Sequence, residues 1–365
     1  AFASSMAHWP DVGGVLGGVT RDVYSEGLQL PFVKIFKRGV QDPELTDIIR
    51  TNVRLPDRAM GDFRAQVASI RTGDRRLSRL LQRYGNEAFT ESIRMIFEQS
   101  ERFARAAVRD IPDGVYEAES FMDDDGVSIG KHIPIHVRVE VRGDDMSVDL
   151  SGCSAQVAGY VNSGITAGRS AVQVAFKCLT SPLLLPINQG SFRHVDIILP
   201  PGRVISATKP AAVRWWMTIP MTVVDTIFKA LADACPERVI AGHHASLGGG
   251  GAYGYIDPKT GSIYLHPGGG IGNGGGGWGA KLGEDGMPAT ICLNDGDTHN
   301  GPVEAGEAKS PMVCIKRALR ADSGGAGKWR GGLGVTHEIE MQVPAMYQSQ
   351  LERTCCAPWG LHGGK

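Results

Sequence analysis

The sequence predicts an α+β fold of mixed and antiparallel sheets, with a helical hairpin inserted and a glycine-rich C-terminal half. Three observations carry that expectation. In "HIPIHVRVEV" the apolar residues Ile133, Ile135, Val137, Val139 and Val141 alternate strictly with polar ones, which is the period of a half-buried strand. "RGDD" (142–145) reads as a hairpin turn, after which Met146, Val148 and Leu150 carry the alternation back. From Asp62 to Arg109 the spacing changes to that of a helix, and past Gly242 the glycines crowd together.

Taken in order, residues 1–61 read as mixed structure with turns at Gly13–Gly14 and Gly17–Gly18, and a short strand is expected in "LPFVKIF" (30–36). Phe63, Val67, Ile70, Leu77, Leu80, Leu81 and Tyr84 mark one helical face. Gly85–Asn86 punctuates, and Phe89, Ile93, Phe97, Phe103 and Val108 resume the period. The spacing therefore predicts a helical hairpin over 62–112, closed by Pro112. Arg71, Arg75, Arg79 and Arg83 recur every four residues and stack along one side of its first helix. Such a stripe is either a solvated face or a docking face for an acidic partner.

Further helices are expected from about Thr166 to Leu179 and from Thr218, read as an N-cap, to a stop at Pro236. Strands are expected in "HVDIILPPG" and "VTHEIEM". The remaining part, 113–365, is one mixed α+β domain threaded with glycine-rich loops. A tract such as "GGGIGNGGGGWG" has no side chains with which to form a core. It belongs where backbone must approach a ligand or another chain closely.

Composition excludes several classes. Net charge is −1, from 38 basic and 39 acidic residues, so no overall basic field draws the chain to nucleic acid. No apolar run reaches the length of a membrane span. The opening residues carry neither an initiator Met nor a charged leader, so they read as the middle of a domain. Seven cysteines without a C-x-x-C pair read as free thiols, as in a reducing cytoplasm, rather than as a disulfide framework.

Several familiar motifs fail on inspection. "GIGNGG" (270–275) satisfies G-x-G-x-x-G, but no helix pattern opens after it to receive a pyrophosphate. "GGAGKW" resembles a phosphate-binding loop, yet Asp322 fills the first glycine position and Trp329 stands where Ser or Thr would hold magnesium. G-x-S-x-G is absent, and Ser323 reads as a turn residue. His243 and His244 are adjacent, so at most one would serve a given site.

The richest polar stretch is "NDGDTHNGPVEAGEA" (294–308). It gathers Asp295, Asp297, His299, Asn300, Glu304 and Glu307 between the apolar runs "ATICL" and "PMVCI". It is either a solvated loop or an active-site loop whose carboxylates and imidazole do acid–base work. At the other end, "AHWPDVGG" (7–14) sets His8 and Asp11 three positions apart. Both are ligands for first-row metals, but a metal site needs three or four groups, so the stretch alone leaves a polar turn closed by glycines open beside it.

Several long stretches occur together, in one order, across essentially the whole chain: "AHWPDVGG", "YSEGLQLPFVKI", "NVRLPDRAMGDFRAQVASIRTGDRRLSRLLQRYG", "LPINQGSFRHVDIILPPG", "DSGGAGKWRGGLG" and "CAPWGLHGG". In these the sequence resembles the hydantoinase B / 5-oxoprolinase family. The resemblance implies a subunit that works with a hydantoinase A-type ATPase on a cyclic amide or a ketone. It implies ATP consumed by that partner and a divalent metal, zinc or manganese, on the hydantoinase B side. His8 matches the family's metal-ligating histidine, and Asp11 falls at a further position of the same motif. The other ligands lie in a portion that precedes residue 1 in the family. Residues 1–61 are then the end of a metal-site domain.

The sequence departs from the family pattern at two places. "RWWMTIP" (214–220) puts Trp215 and Trp216 where many members carry a more polar run, which implies an apolar substrate wall. "GDTHNGPVE" puts His299 in place of an arginine, removing a fixed cation suited to a carboxylate. The resulting expectation is an ATP-dependent cyclic-amide hydrolase, with a ketone carboxylase as alternative and a non-catalytic scaffold for the ATPase as a third possibility. His299, Asp297 and Glu304 are the expected acid–base groups, and Trp215, Trp216 and Asn300 the expected substrate contacts.

Overall fold

A computed structural model describes residues 20–53, 56–180, 187–246, 249–256, 263–266, 275–293, 301–309 and 311–365. The organising sheet has four strands in the order β3 (Gly114–Met122), β4 (Ile133–Arg142), β5 (Asp145–Asp149) and β6 (Val195–Ile198). The first three are antiparallel neighbours, and β6 runs parallel to β5 after a crossover through α3 (Ile165–Thr180). The alternation in β4 is realised in full: all five of its apolar residues are buried, and Met146 and Val148 of β5 continue the same face. Each buried side chain of this kind contributes about 1.5–3 kcal/mol over an exposed one.

That face is covered by two helices, as the chemistry of each requires. Helix α3 presents Ala171, Val172, Ala175, Phe176 and Leu179 to the core. Helix α4 (Thr218–Ala230) is buried all round from Thr218 to Phe228, the environment its predominantly apolar composition favours. Thr218 does not cap it, contrary to the expectation. Met217 holds the cap position with no side-chain bond, and Thr218 is the first helical residue. Thr222 and Thr226 instead bond back to the carbonyls of Thr218 and Thr222, at 3.0 and 2.6 Å.

The N-terminal described part has its own small hydrophobic cluster around Ile49, Met60 and Phe63, and Glu26 ties it to the main domain by accepting from Val213 N and Arg214 N at 2.8 and 2.9 Å. A two-strand ribbon, β1 (Phe36–Lys37) and β2 (Val40–Gln41), leads into α1 (Pro43–Thr51). Asp42 caps that helix by accepting from Leu45 N at 3.2 Å, with Pro43 at its first turn. The strand expected over 30–36 survives only as Phe36 in β1. Residues 30–35 have no partner strand among the described residues, and Pro31 has no N–H to offer one.

Helix α2 runs from Pro56 to Arg109. In place of a turn-separated pair it has one non-helical residue, Gly85, at φ 78° and ψ 163°. Leu80, Tyr84, Ile93 and Ile96, which a closed hairpin would bury between its arms, are exposed. Its C-terminal end is tied to the sheet by charge. Arg105 meets Asp144 and Asp145 of the β4–β5 turn at 2.8 and 2.6 Å, and Arg109 meets Asp144 at 2.7 Å.

The C-terminal half adds two small antiparallel sheets: β7 (Gly249–Ile256) between β8 (Ile263–His266) and β11 (Met346–Gln350), and β9 (Met312–Leu319) with β10 (Val335–Met341). A short helix, α5 (Val303–Lys309), precedes β9. No helix among the described residues is long and apolar enough to cross a membrane. None of the seven cysteines, all of them among the described residues, forms a disulfide.

Candidate functional site

The most concentrated buried polar chemistry lies where α4 meets the glycine-rich half. Asp225, on α4, is 1% exposed. Its Oδ2 accepts from the backbone N–H of His243 at 3.2 Å and from Arg353 Nη2 at 2.8 Å, and it lies 2.8 Å from His243 Nδ1. Arg353 also donates to the His243 carbonyl. Burial alone would raise the Asp225 carboxyl. The charges of His243 and Arg353, with the hydrogen bonds they make, outweigh it and hold the carboxyl below its ordinary value. His243 Nε2 is buried without a partner among the described residues, so it is the ring's one uncommitted nitrogen.

Around this pair the rings are close. The His243 ring centroid lies 5.6 Å from that of His244 and 5.8 Å from that of Trp278, whose Nε1 donates to the Ile291 carbonyl at 2.9 Å. Only His244 faces the adjoining cleft, in keeping with the expectation that adjacent histidines do not share a site. Burial, reinforced by His243, pushes its pKa down to about 4, so at neutral pH it is an uncharged imidazole.

The cleft measures about 940 Å³ and is walled by segments 241–244, 275–282, 325–335 and 358–365. Here the glycines find their physical reason. A Cβ at Gly277 would sit 2.0 Å from the Gly332 carbonyl oxygen, one at Gly279 equally near that of Ala241, and one at Gly276 would strike the His244 ring. Hydrogen bonds lace the same segments: Ala241 N to Ala280 O, Gly242 N to Trp359 O, and Gly332 N to Trp278 O, all at 2.9 Å. The tract is thus a backbone-to-backbone stack, with chain approaching chain.

A second clamp holds the C-terminal segment. Asp123, just past β3, accepts from Thr354 N and Oγ1 at 2.6 Å each, from Cys355 N at 3.1 Å and from Cys356 N at 2.7 Å. These bonds overcome burial and keep its carboxyl low. Glu352 receives only the Asp123 N–H among these donors, at 2.6 Å, and burial beside that carboxylate pushes it up to about 7.

The residues singled out from sequence are distributed widely. His8, Asp11, Asp295, Asp297, His299 and Asn300 lie outside the described residues, as does most of "GIGNGG". Glu304 stands exposed on the first turn of α5, where a carboxylate suits the helix dipole. Glu307 accepts from Cys314 N at 2.8 Å. Trp215 is half-buried against the main core, its backbone N–H donating to the Tyr160 carbonyl, and Trp216 is exposed. Neither lines the glycine cleft. Ser323 is a turn residue as expected, donating to Arg320 O and accepting from Gly334 N. No three His, Cys, Asp or Glu side chains among the described residues are placed to hold one metal ion.

Sequence reasoning missed Asp225 and Arg353. Asp225 had a signal: it is the one carboxylate in the apolar run "TIPMTVVDTIFKA", and a lone charge in a buried helix needs a partner. Arg353, in "LERTCC", had none.

This fold belongs to a known class. The chain is a member of the Hydantoinase B/oxoprolinase family, whose model matches residues 1–365. Among particular relatives, the beta subunit of caprolactamase from Pseudomonas jessenii is 33% identical over 355 residues, covering 93% of this chain and 58% of that protein. A putative D-/L-hydantoinase of Pseudomonas sp. (strain NS671) is 30% identical in its B-type subunit over 390 residues, covering 100% of this chain and 62% of that protein. The crystal structure of ATP-dependent caprolactamase from Pseudomonas jessenii superposes with a TM-score of 0.82 at 30% identity, covering 91% of this chain and 57% of that one. A nucleotide-free acetone carboxylase shares the fold, with a TM-score of 0.79 at 19% identity, over 91% of this chain and 46% of that one. The chain therefore spans about three-fifths of the length of these two curated relatives.

Proposed function

We propose that this chain is part of the catalytic B-type subunit of an ATP-dependent cyclic-amide hydrolase that opens a lactam, hydantoin or 5-oxoproline ring. It works with a hydantoinase A-type ATPase subunit, which consumes the ATP. The observation that carries this reading is the superposition on ATP-dependent caprolactamase over nine-tenths of the chain at 30% identity. Both the hydantoinase and the caprolactamase relatives are named as subunits, which supports an enzyme of more than one chain.

In this reading His8 and Asp11 supply ligands to a divalent metal, since imidazole nitrogen and carboxylate oxygen suit zinc or manganese. Bound there, the metal supplies an activated water or polarises a carbonyl. Asp297, His299 and Glu304 move protons at the opening ring, and Asn300, Trp215 and Trp216 contact substrate. The buried Asp225–His243–Arg353 cluster holds the wall of the glycine cleft.

The test is to co-purify the B-type protein with its ATPase partner and follow ADP release with lactams, hydantoins, 5-oxoproline and simple ketones plus bicarbonate. ATP-dependent ring opening is expected. Carbon incorporation into a ketone without any ring opening would replace the hydrolase with a carboxylase. ATPase activity unaffected by every substrate would reduce the chain to a scaffold.

A further inference from the structure

Helix α2 is anchored near its two ends, and its first arm beyond Val67 is largely bare. Met60 and Phe63 bury beside Ile49 of α1 at one end, and Ala104 and Val108 join the main core at the other. From 64 to 103 not one residue is buried. Phe97 and Ser100 still meet the 188–193 turn, where Asn188 donates to Ser100 Oγ at 2.7 Å and Arg193 lies over the Phe97 ring. The stretch that draws least from packing is therefore the first arm beyond Val67, although packing of an apolar face is what normally holds a helix in a protein.

Its first arm carries an unusual surface. Arg71, Arg75, Arg76, Arg79 and Arg83 are all exposed, and none is within ion-pair distance of a carboxylate among the described residues. Their contacts are neutral: Arg71 lies over the Phe36 ring at 4.9 Å, Arg75 donates to Thr72 Oγ1 at 3.1 Å, and Arg83 lies over the Tyr84 ring at 5.1 Å. Further along the same helix the arginines behave differently. Arg94 pairs with Glu91 and Glu98, and Arg105 with Glu101, Asp144 and Asp145.

Apolar side chains sit among these cations. Leu80 is 45% exposed and Tyr84 55%. Helical spacing sets Leu80 one turn from Arg76 on one side and from Arg83 and Tyr84 on the other, so they form one contiguous patch. Leu77 and Leu81 flank it, half-buried. Arginine and tyrosine around an aliphatic centre is the composition of interface hot spots, and charge of one sign selects a partner surface of the other.

We propose that the first arm of α2, centred on Arg76, Leu80, Arg83 and Tyr84, is the docking surface for the ATPase subunit, inserted into an apolar groove rimmed by carboxylates. This rests on the reading that the chain works with such a subunit. The Arg71/Arg75/Arg79 side of the arm steers the encounter, and Leu80 and Tyr84 fill the groove.

The test uses the complete B-type protein and its ATPase subunit, with affinity measured in solution at low and high salt. Arg76→Glu with Arg83→Glu should weaken the pair about 100-fold or more at low salt, where two charge contacts turn repulsive. Leu80→Ala with Tyr84→Ala should weaken it at both salt concentrations. Because all four side chains are exposed, the Tm of each B-type variant alone should stay within about 2 °C of the parent. Arg76→Lys with Arg83→Lys, which cannot disturb folding by charge, should keep most of the affinity. Unchanged affinity in both disruptive pairs overturns the proposal. So does a variant that changes the oligomeric state of the B-type protein alone, since a second copy would then occupy the face. If the parent proteins do not associate at all, the two-subunit reading fails and this surface falls with it.

Discussion

Asp225 on α4 and Arg353 near the C-terminal end meet at 2.8 Å in a site where their side chains are only 1% and 4% exposed. The contact joins the most buried helix to the glycine-rich half through a charge pair that also fixes His243. Removing one partner of such a pair leaves the other charge buried and uncompensated.

Arg353→Met should therefore destabilise the protein by about 3–5 kcal/mol, and Asp225→Asn by a similar amount. Denaturant unfolding of the two variants measures it. A change below about 1 kcal/mol in both would mean that water already reaches the pair.

The pH dependence of stability should carry a contribution from Glu352. Its folded value of about 7 lies above the ordinary 4.5, so between these the folded state holds a proton that the unfolded state has lost. Stability from this group is present at low pH, falls as pH rises through that window, and stays lower above 7. Glu352→Gln keeps an oxygen for the Asp123 N–H and removes the titration. The variant should match the parent near pH 4.5 and exceed it at pH 8 by on the order of 2–3 kcal/mol. A parallel pH profile for the two proteins would show that Glu352 is solvated.

Glycines in two settings should respond with opposite signs. Gly277→Ala and Gly279→Ala would drive a methyl group to 2.0 Å from a backbone oxygen, which cannot give way. Loss of several kcal/mol, or of folded protein, is expected, as for severe overpacking. Gly73→Ala, on the exposed face of α2 with nothing within 4 Å, should stabilise by about 0.5–1 kcal/mol. Thermal melts of the set decide it, and equal effects at Gly73 and Gly277 would contradict the stacked arrangement.

His299 tests the acid–base assignment. In the two-subunit enzyme, His299→Ala should lower turnover about 100-fold or more while leaving folding and metal content intact. His8→Ala should instead lower metal content measured by elemental analysis. Full turnover without His299 would remove the loop from the chemistry, and unchanged metal without His8 would remove that residue from the ligand set.

Local pattern determined much of this molecule. The period-two alternation of 133–141 and 146–150 gave β4 and β5 with their buried faces, because a strand's side chains are sorted by backbone geometry alone. Helical spacing gave α3, the start of α4 and the end of α2, though α2 opens at Pro56 rather than Asp62 and α4 closes at Ala230 rather than Pro236. The quoted motifs gave the family. Other features depend on what a segment meets in space. Residues 30–35 found no partner strand among the described residues, and the arms of α2 did not close on each other despite matching apolar spacing. Asp225, His243 and Arg353 come from three distant stretches, and no local spacing encodes their meeting. Among the described glycines, Gly277 and Gly279 lie against the backbone of the same chain, where the sequence had left a ligand or another chain as the close neighbour. A missing Cβ declares that something comes close, and only the tertiary structure decides what.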